Sequence, residues 1–240
     1  MDAGQEVAEV VSNERETDSI HRLVVAPREP WAHRPGQVAR VWLGPDCDGI
    51  FAIASAPGAP ALTFLVKAQG TVAEPIMRLT RGQRVTLHGP FGAGFVLPTA
   101  GRLLFAAAGT AVAAAHSALV AALVGGHAPS QLAALIGVRT PEDLALRAEL
   151  EALVARGIAI RVVASRPRAE ARPDALWQGR IGRAQAHLDG LVSPSDWVFL
   201  AGSDAFEDDL ARALVAAGVD PWRVQRNYRP DGRSAERGAS

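Results

Sequence analysis

The chain contains little cysteine, and this shortage excludes two kinds of site. Cys47 is the one cysteine among 240 residues. An intramolecular disulfide and an iron–sulfur cluster held by cysteines of this chain are therefore ruled out. Asp46 and Asp48 flank the thiol and should raise its pKa rather than lower it, so no catalytic role is expected. The lack of disulfides suits a reducing compartment, and we expect a cytoplasmic location.

The sequence also has no excess of either charge sign. Lys and Arg number 25 together, and so do Asp and Glu, which gives a formal net charge of zero. No basic field is present to attract nucleic acid or an anionic membrane surface. A net charge near zero favours association, so we expect an oligomer or a subunit of a larger complex. The six histidines lack metal-binding spacing, and no metal site is expected.

Long hydrophobic runs are rare as well. The most apolar stretch, residues 103–124, is long enough to be confused with a membrane span. Gly109 and Thr110 interrupt it, so we expect a short strand followed by a helix and no membrane span. The polar and acidic first 15 residues show no signal-peptide pattern.

Short strands separated by turn residues dominate the first part of the chain. A turn signal, Pro57-Gly58-Ala59-Pro60, is one of these separators. The pattern predicts a small antiparallel β-barrel over residues 1–98. Its strands are expected at 6–13, 20–26, 37–43, 50–54, 62–66 and 84–87, with a short helix at 72–79.

From residue 102 onward, apolar strands alternate with helices. This alternation predicts a doubly wound parallel α/β sheet, which makes residues 99–230 a second domain. Strands are expected at 103–107, 132–138, 158–164 and 197–201, and helices at 112–124, 141–155 and 205–217. Residues 95–101 are the expected hinge, 165–179 an exposed loop, and 231–240 a disordered tail.

Three short motifs occur in an order that is typical of one enzyme family. They are Pro35-Gly36-Gln37, Gly89-Pro90-Phe91-Gly92 and Ala108-Gly109-Thr110-Ala111. Together they resemble the ferredoxin–NADP reductase superfamily over about residues 6–228. The resemblance implies a two-domain flavin enzyme that passes electrons between a nicotinamide and a partner, with FAD on the barrel and NAD(P)H on the second domain.

The family's flavin signature, Arg-x-Tyr-Ser followed by Ser and Pro, is matched by residues 49–57. The resemblance makes Phe51 the ring that stacks on the flavin, with Ala52, Ile53 and Ser55 beside it. Gly49 replaces the arginine that would hold the flavin pyrophosphate, so a bidentate charge partner is missing. Ala52 replaces the serine that would contact the reactive flavin edge.

A second flavin motif implies a phosphate site at the start of the short helix. Gly70 and Thr71 would offer backbone amides there, while Ala73 replaces the side chain that assists in the family. Lys67 is either a compensating cation or a solvated lysine. The alternative for the whole region is that Phe51, Ile53 and neighbouring residues are barrel core and no flavin binds.

The resemblance implies nucleotide contacts on the second domain. Gly109 and Thr110 remain from the family's Gly-Gly-Thr-Gly-x-x-Pro loop, whereas Ala111 adds a methyl where close approach is expected and disfavours positive φ. Arg139 is either a contact to ribose or 2′-phosphate or part of a surface helix start, which Thr140 and Asp143 would cap.

Two further contacts are implied near the C-terminus. The family's Cys-Gly-Pro is represented by Ala201-Gly202-Ser203-Asp204, so Gly202 either contacts the nicotinamide or precedes a simple helix cap. Tyr228 either covers the flavin or packs against the C-terminal part of the fold.

Two functional hypotheses therefore remain from the sequence. The first is a flavin-dependent electron-transfer subunit that uses FAD and NAD(P)H and delivers electrons to a redox partner protein; no catalytic residue is singled out. The second is a reductase-derived assembly or regulatory subunit without catalysis. Its motivation is the set of family side chains missing at Gly49, Ala52, Ala73, Ala111 and Ala201.

Overall fold

The computed structural model describes residues 4–45, 47–69 and 73–227, which form two sheets of different kinds. The predicted tail, 231–240, lies outside these ranges. In the first sheet the strands are β1 (Gly4–Arg15), β2 (Ile20–Ala26), β3 (Val38–Gly44), β4 (Cys47–Ala52), β5 (Leu62–Lys67) and β6 (Arg84–Phe91). They pair antiparallel in the order β4-β3-β6-β1-β2-β5.

The first sheet closes almost completely on itself. Ile53, just after β4, forms an isolated bridge with Phe64 of β5, so the two edge strands meet. Residues from all six strands or their ends fill one buried core, including Val10, Leu23 and Leu87. The predicted N-terminal antiparallel barrel is confirmed.

A single helical turn, α1 (Ala73–Met77), is shorter than the predicted helix 72–79. The side-chain amide of Asn13 explains where it ends. Its Nδ2 donates to the carbonyls of Ile76, Met77 and Leu79 at 2.9, 3.1 and 3.0 Å. Carbonyls bonded in this way no longer need the next turn of helix.

The second sheet is parallel and carries helices. Its strands are β7 (Leu103–Ala108), β8 (Leu132–Val138), β9 (Ala159–Ala164), β10 (Trp197–Ala201) and β11 (Val224–Arg226). The helices are α2 (Val112–Val124), α3 (Arg147–Ala155) and α4 (Asp204–Ala216). The strand order β11-β10-β7-β8-β9 confirms the predicted doubly wound domain. The apolar run 103–124 divides into β7 and α2, as expected, and none of the helices in the described ranges is long and apolar enough to cross a membrane.

The predicted helix 141–155 was wrong in its first half. A 3-10 turn covers Pro141–Asp143, and α3 begins only at Arg147. Leu146 lies between them with φ at 58°, a left-handed conformation that an α-helix cannot include. Its N–H donates to the Glu16 carboxylate of the barrel at 2.7 Å, so a contact with the other domain accompanies this break.

The two domains share part of their core. Ala54 and Leu65 of the barrel belong to the same buried cluster as Val112 and Ala113 of α2. The connecting segment joins this core through Phe95, whose ring centroid lies 5.3 Å from that of Phe199 on β10. The space between the barrel and the start of α2 is therefore bounded by packed elements of both domains.

Candidate functional site

A cavity of about 250 Å3 lies where the two domains meet. Phe51 and Ala52 from the end of β4 line one side, and Thr110 and Ala111 from the turn before α2 line the other. Val38, Ile50, Leu65 and Asn227 complete the lining. A larger groove, of about 1660 Å3, lies on the barrel beside β1. That groove contains none of the residues predicted to bind a cofactor, so the smaller cavity is the candidate site.

Phe51 is the aromatic wall of the cavity, and its ring packs over Gly49. A Cβ atom added to Gly49 would lie 2.5 Å from Cζ of Phe51. The ring centroid of Phe51 also lies 6.4 Å from that of Phe64. The missing arginine and the position of the aromatic ring are thus linked, because a side chain at position 49 would displace the ring.

The other residues predicted on the flavin side have different surroundings. Ala52 lines the cavity, but Ile53 is fully buried and its N–H donates to the Gln37 carbonyl at 3.2 Å. The carbonyl of Ser55 accepts from the hydroxyl of Ser117 at 2.8 Å, which ties the barrel to α2. Among residues 51–55, Phe51 and Ala52 line the cavity.

The turn between β7 and α2 offers an open backbone. Gly109 has φ at 57°, and no atom lies within 4 Å of where its Cβ would be. Space for a ligand therefore exists beside this residue. Ala111 has φ at −67°, so its methyl causes no backbone strain. The sequence pattern predicts a need for positive φ at this position, and the structure does not use one. Thr110 and Ala111 both line the cavity.

Arg139 follows the last residue of β8 and is exposed. Its carbonyl accepts from the N–H of Arg166 at 2.7 Å, which brings two exposed arginines to the same edge of the sheet. Next to them, the Asp143 carboxylate accepts from the N–H and the hydroxyl of Thr140 at 3.0 and 3.1 Å. Thr140 therefore precedes a 3-10 turn and not the predicted helix, and the Arg139 side chain is exposed beside it.

Gly202 has a packing reason for lacking a side chain. A Cβ there would lie 2.6 Å from Cδ1 of Phe206. The hydroxyl of Ser203 accepts from the N–H of Phe206 at 3.3 Å, which caps α4 as the simpler interpretation of the sequence predicted. Lys67 ends β5 as an exposed residue opposite Ile20. Gly70, Thr71 and Tyr228 lie outside the described residues.

Sequence reasoning missed Asn227. Its N–H donates to the Leu200 carbonyl at 2.8 Å, which continues the β10–β11 pairing and brings the residue to the cavity. Its Oδ1 is buried and has no hydrogen-bond partner in the part of the chain that the structure describes. A buried acceptor of this kind usually has a partner. The only available signal was its position next to Tyr228.

Two histidines, the half-buried His116 and the buried His33, bond to the segment that follows β4. Burial lowers the pKa of His116 below its ordinary value, although its hydrogen bond to the Ala54 carbonyl opposes the effect. Burial also lowers the pKa of His33, against hydrogen bonds to the carbonyls of Ser55 and Trp31. Cys47 lies elsewhere: burial and the nearby Asp48 carboxylate raise its thiol pKa, as the sequence predicted.

The cavity has the character of a site for the ring system of a flavin. Phe51, Leu65 and Val38 supply apolar and aromatic surface, and the buried Oδ1 of Asn227 supplies an acceptor that no described residue bonds. A largely apolar slot with few polar groups is typical of a cofactor site. The residues present therefore fit an isoalloxazine ring.

Comparisons with known proteins agree with this architecture. Residues 105–212 match the oxidoreductase NAD-binding domain family. The chain is 35% identical over 195 residues to ferredoxin–NADP reductase B of Sorangium cellulosum, covering 73% of this chain and 76% of that protein. It is 28% identical over 231 residues to the Ralstonia reductase component of naphthalene 1,2-dioxygenase/salicylate 5-hydroxylase systems, covering 93% of this chain and 69% of that protein.

The fold is also that of a solved reductase. A ferredoxin NADP+ reductase from Neisseria gonorrhoeae with bound FAD and NADP superposes with a TM-score of 0.76. The match covers 93% of this chain and 98% of that one, at 17% identity.

Proposed function

Because the chain belongs to the ferredoxin–NADP reductase superfamily, we propose that it passes electrons from NAD(P)H through FAD to a separate partner protein. The observation that carries the proposal is the cavity, since it joins the aromatic end of β4 to the nucleotide-type turn before α2. FAD, when bound, accepts a hydride from a nicotinamide and releases its electrons one at a time.

The residues of this chain would divide the binding between them. Phe51, Ala52 and Leu65 would contact the flavin ring, and Asn227 would accept a hydrogen bond at its edge. Gly109 and Thr110 would lie beside the nicotinamide nucleotide, with Arg139 at its adenosine end. Gly70, Thr71 and Tyr228 remain sequence-based expectations for the same site, and Gly202 supports it through packing against Phe206.

Any iron–sulfur cluster that receives these electrons must be held by cysteines outside this sequence, because the sequence contains a single cysteine. The Ralstonia relative is named as the reductase component of dioxygenase and hydroxylase systems. We therefore propose a redox protein of a multicomponent oxygenase as the acceptor class.

One observation favours the alternative of a subunit without catalysis. Gly49 removes the charge that would balance a pyrophosphate, and the Phe51 ring packs over the vacated position. A protein of this kind would fold without flavin and act through a partner. Steady NAD(P)H-dependent dye reduction by the pure protein would eliminate it.

The test is reconstitution followed by reduction. We would add excess FAD, remove the unbound part, and record the visible spectrum before and after anaerobic NADH or NADPH. Retained flavin that bleaches supports the reductase, whereas a folded protein that retains no FAD overturns it.

Two variants make this test specific to the cavity. Phe51→Leu removes the stacking ring and should abolish FAD retention, while Phe51→Tyr keeps a ring and restores the family's hydroxyl, so retention should persist. Equal FAD retention by the wild type and Phe51→Leu would separate flavin binding from this cavity.

A further inference from the structure

The candidate site takes residues from two domains, so its shape depends on how these domains are held together. Outside the apolar core, an ion-pair cluster joins them. It consists of Arg22 on β2, Glu16 in the turn before β2, and Glu149 on α3. None of these residues lines the cavity, and none was singled out by the sequence.

Arg22 forms bidentate hydrogen bonds with the carboxylates of Glu16 and Glu149. Its Nε and Nη2 donate to the two oxygens of Glu16 at 2.7 and 3.0 Å. On the other side, Nη1 and Nη2 donate to the two oxygens of Glu149, the latter at 3.0 Å. The planar guanidinium is suited to such paired bonds, which fix direction as well as distance. Glu149 therefore cannot rotate or slide away from the barrel without breaking two bonds.

The cluster is also sheltered from water. The side chains of Arg22, Glu16 and Glu149 are 26%, 14% and 31% exposed, whereas the pair within the barrel between Arg78 and Glu74 is 77% and 66% exposed. Screening by solvent is weaker at the sheltered site. Burial would raise the pKa of Glu149, but its bonds with Arg22 outweigh this and lower the pKa, so the carboxylate is charged at neutral pH.

Glu16 makes a second connection between the domains. Its Oε1 accepts from the N–H of Leu146 at 2.7 Å, and Leu146 is the left-handed residue that precedes α3. A leucine adopts this conformation only when its surroundings enforce it. The start of α3 is thus held by the barrel through the same carboxylate that orients Arg22.

A second pair of contacts lies on α2, behind the candidate site. His116 lies with Nδ1 2.8 Å from the Ala54 carbonyl, and the Ser117 hydroxyl donates to the Ser55 carbonyl. These bonds connect α2 to the segment that follows β4. Phe51 lies on β4 itself, two residues before this segment. The two sets of contacts lie on different helices, so together they restrict rotation of one domain against the other.

We propose that Arg22 is a positioning residue that sets the separation of nicotinamide and flavin by holding α3 against the barrel. The inference rests on the proposed reductase function, because only hydride transfer makes that separation matter. A displacement of about 1 Å between reacting groups can lower a rate by about a hundredfold. Arg22 touches neither group in this arrangement and acts through Glu16 and Glu149.

The test combines a distance with a rate. One spin label at Val7 on the barrel and one at Val124 at the end of α2, both exposed positions, would report the interdomain distance in a Cys47→Ser background. Arg22→Gln should broaden that distance distribution in the FAD-free protein. In the FAD-loaded protein it should slow flavin reduction by NAD(P)H at least about tenfold, with the rate measured per bound flavin.

Three further variants make the result interpretable. Arg22→Lys keeps the charge without the paired bonds and should fall between wild type and Arg22→Gln. Glu149→Gln weakens the bonds between Arg22 and α3 and leaves the Arg22–Glu16 pair intact. It should act like Arg22→Gln, and it keeps the test decisive where Arg22→Gln does not fold. Arg147→Gln is the matched control, because Arg147 lies on the same helix but pairs with Asp174 of its own domain.

The outcomes separate the two proposals. An unchanged distance distribution in Arg22→Gln and Glu149→Gln overturns the role of Arg22, and so does a broadened distribution with an unchanged rate of flavin reduction. A wild-type protein that binds no FAD overturns the proposed function, and with it the positioning role, even where the distance measurement shows that the ion pairs hold the domains.

Discussion

At the scale of single residues, Gly49 and Phe51 occupy one space. The ring lies where the Cβ of any other residue at position 49 would be, 2.5 Å from Cζ. Whether the ring remains free to stack on a ligand therefore depends on the absence of a neighbouring side chain. This pair explains why the arginine expected from the family cannot simply be restored.

Gly49→Ala should destabilise the protein by about 1–3 kcal/mol, because the new methyl overpacks the ring. The measurement is the free energy of unfolding in urea. The cost should largely disappear in a Phe51→Ala background, since the clash is then gone. Gly137→Ala is the control, because its Cβ would meet its nearest neighbours at 3.6 and 3.7 Å, an ordinary contact distance. Equal costs of Gly49→Ala in both backgrounds would contradict the linkage.

Arg139 gives a prediction about nucleotide choice. If its exposed guanidinium binds a 2′-phosphate, Arg139→Ala should raise KM for NADPH by about tenfold to a hundredfold, the loss of one charge-assisted hydrogen bond. KM for NADH should change little. Steady-state dye reduction with both donors is the measurement, and Arg212→Ala, a substitution on α4, is the control. A parallel change for both donors would place Arg139 away from the 2′ position.

The two histidines beside Ala54 and Ser55 predict how stability depends on pH. His33 and His116 have folded-state pKa values lowered from 6.5, chiefly by burial. The unfolded chain therefore binds more protons near that pH, and the free energy of unfolding should fall as pH drops below about 6.5. Urea unfolding at pH 7.5, 6.5 and 5.5 measures this.

The contribution of His116 to the pH dependence of the free energy of unfolding can be measured separately. His116→Gln removes a titrating group and should flatten the slope between pH 6.5 and 5.5. Acidic groups with lowered pKa values, such as Glu149 and Asp174, titrate below this window and do not interfere. A slope identical to that of the wild type would show that folding does not lower the pKa of His116.

At the scale of elements, α1 depends on one distant side chain. Asn13 reaches from β1 to three carbonyls at the end of this helix. Asn13→Ala removes the side-chain donor from all three carbonyls, of which the Ile76 carbonyl still accepts from the N–H of Leu79, and should cost about 1–3 kcal/mol. Because α1 follows the predicted phosphate loop, FAD retention should weaken as well. Asn13→Asp places a carboxylate against the same carbonyls and should be worse than Asn13→Ala in urea unfolding. The opposite ranking would show that the amide donors matter little.

Much of the fold was predictable because its periodicity is local. The alternation of β1 to β6 and the strand–helix rhythm after Leu103 are visible in the sequence. The ends of α1 and α3 were not, since they are set by Asn13 and Glu16, which lie 63 or more residues away in the chain. At the site, the motifs identified Phe51 and Thr110, whereas Asn227 and the Arg22 cluster come together only through tertiary packing.

At the scale of the whole molecule, the two domains share buried surface and polar bonds. Ala54 and Leu65 of the barrel pack with α2, and Arg22, His116 and Ser117 bond across the boundary. Cooperative unfolding without intermediates requires such coupling between domains, which otherwise unfold separately.

We expect the free protein to unfold in urea as a single transition. Tryptophan fluorescence of a variant that keeps only Trp31 should report the barrel, and that of a variant that keeps only Trp177 the second domain. Their urea midpoints should coincide.

Combining Arg22→Gln with Ser117→Ala removes bonds from both helices that face the barrel. The midpoints of the two domains should then separate, with the less stable domain unfolding first. Arg78→Gln with Arg212→Gln, which removes only pairs within each domain, should leave them coincident. Separate midpoints in the wild type would mean that the shared core is too weak to couple the domains, and the separation of nicotinamide and flavin would then have to be fixed by the bound cofactors themselves.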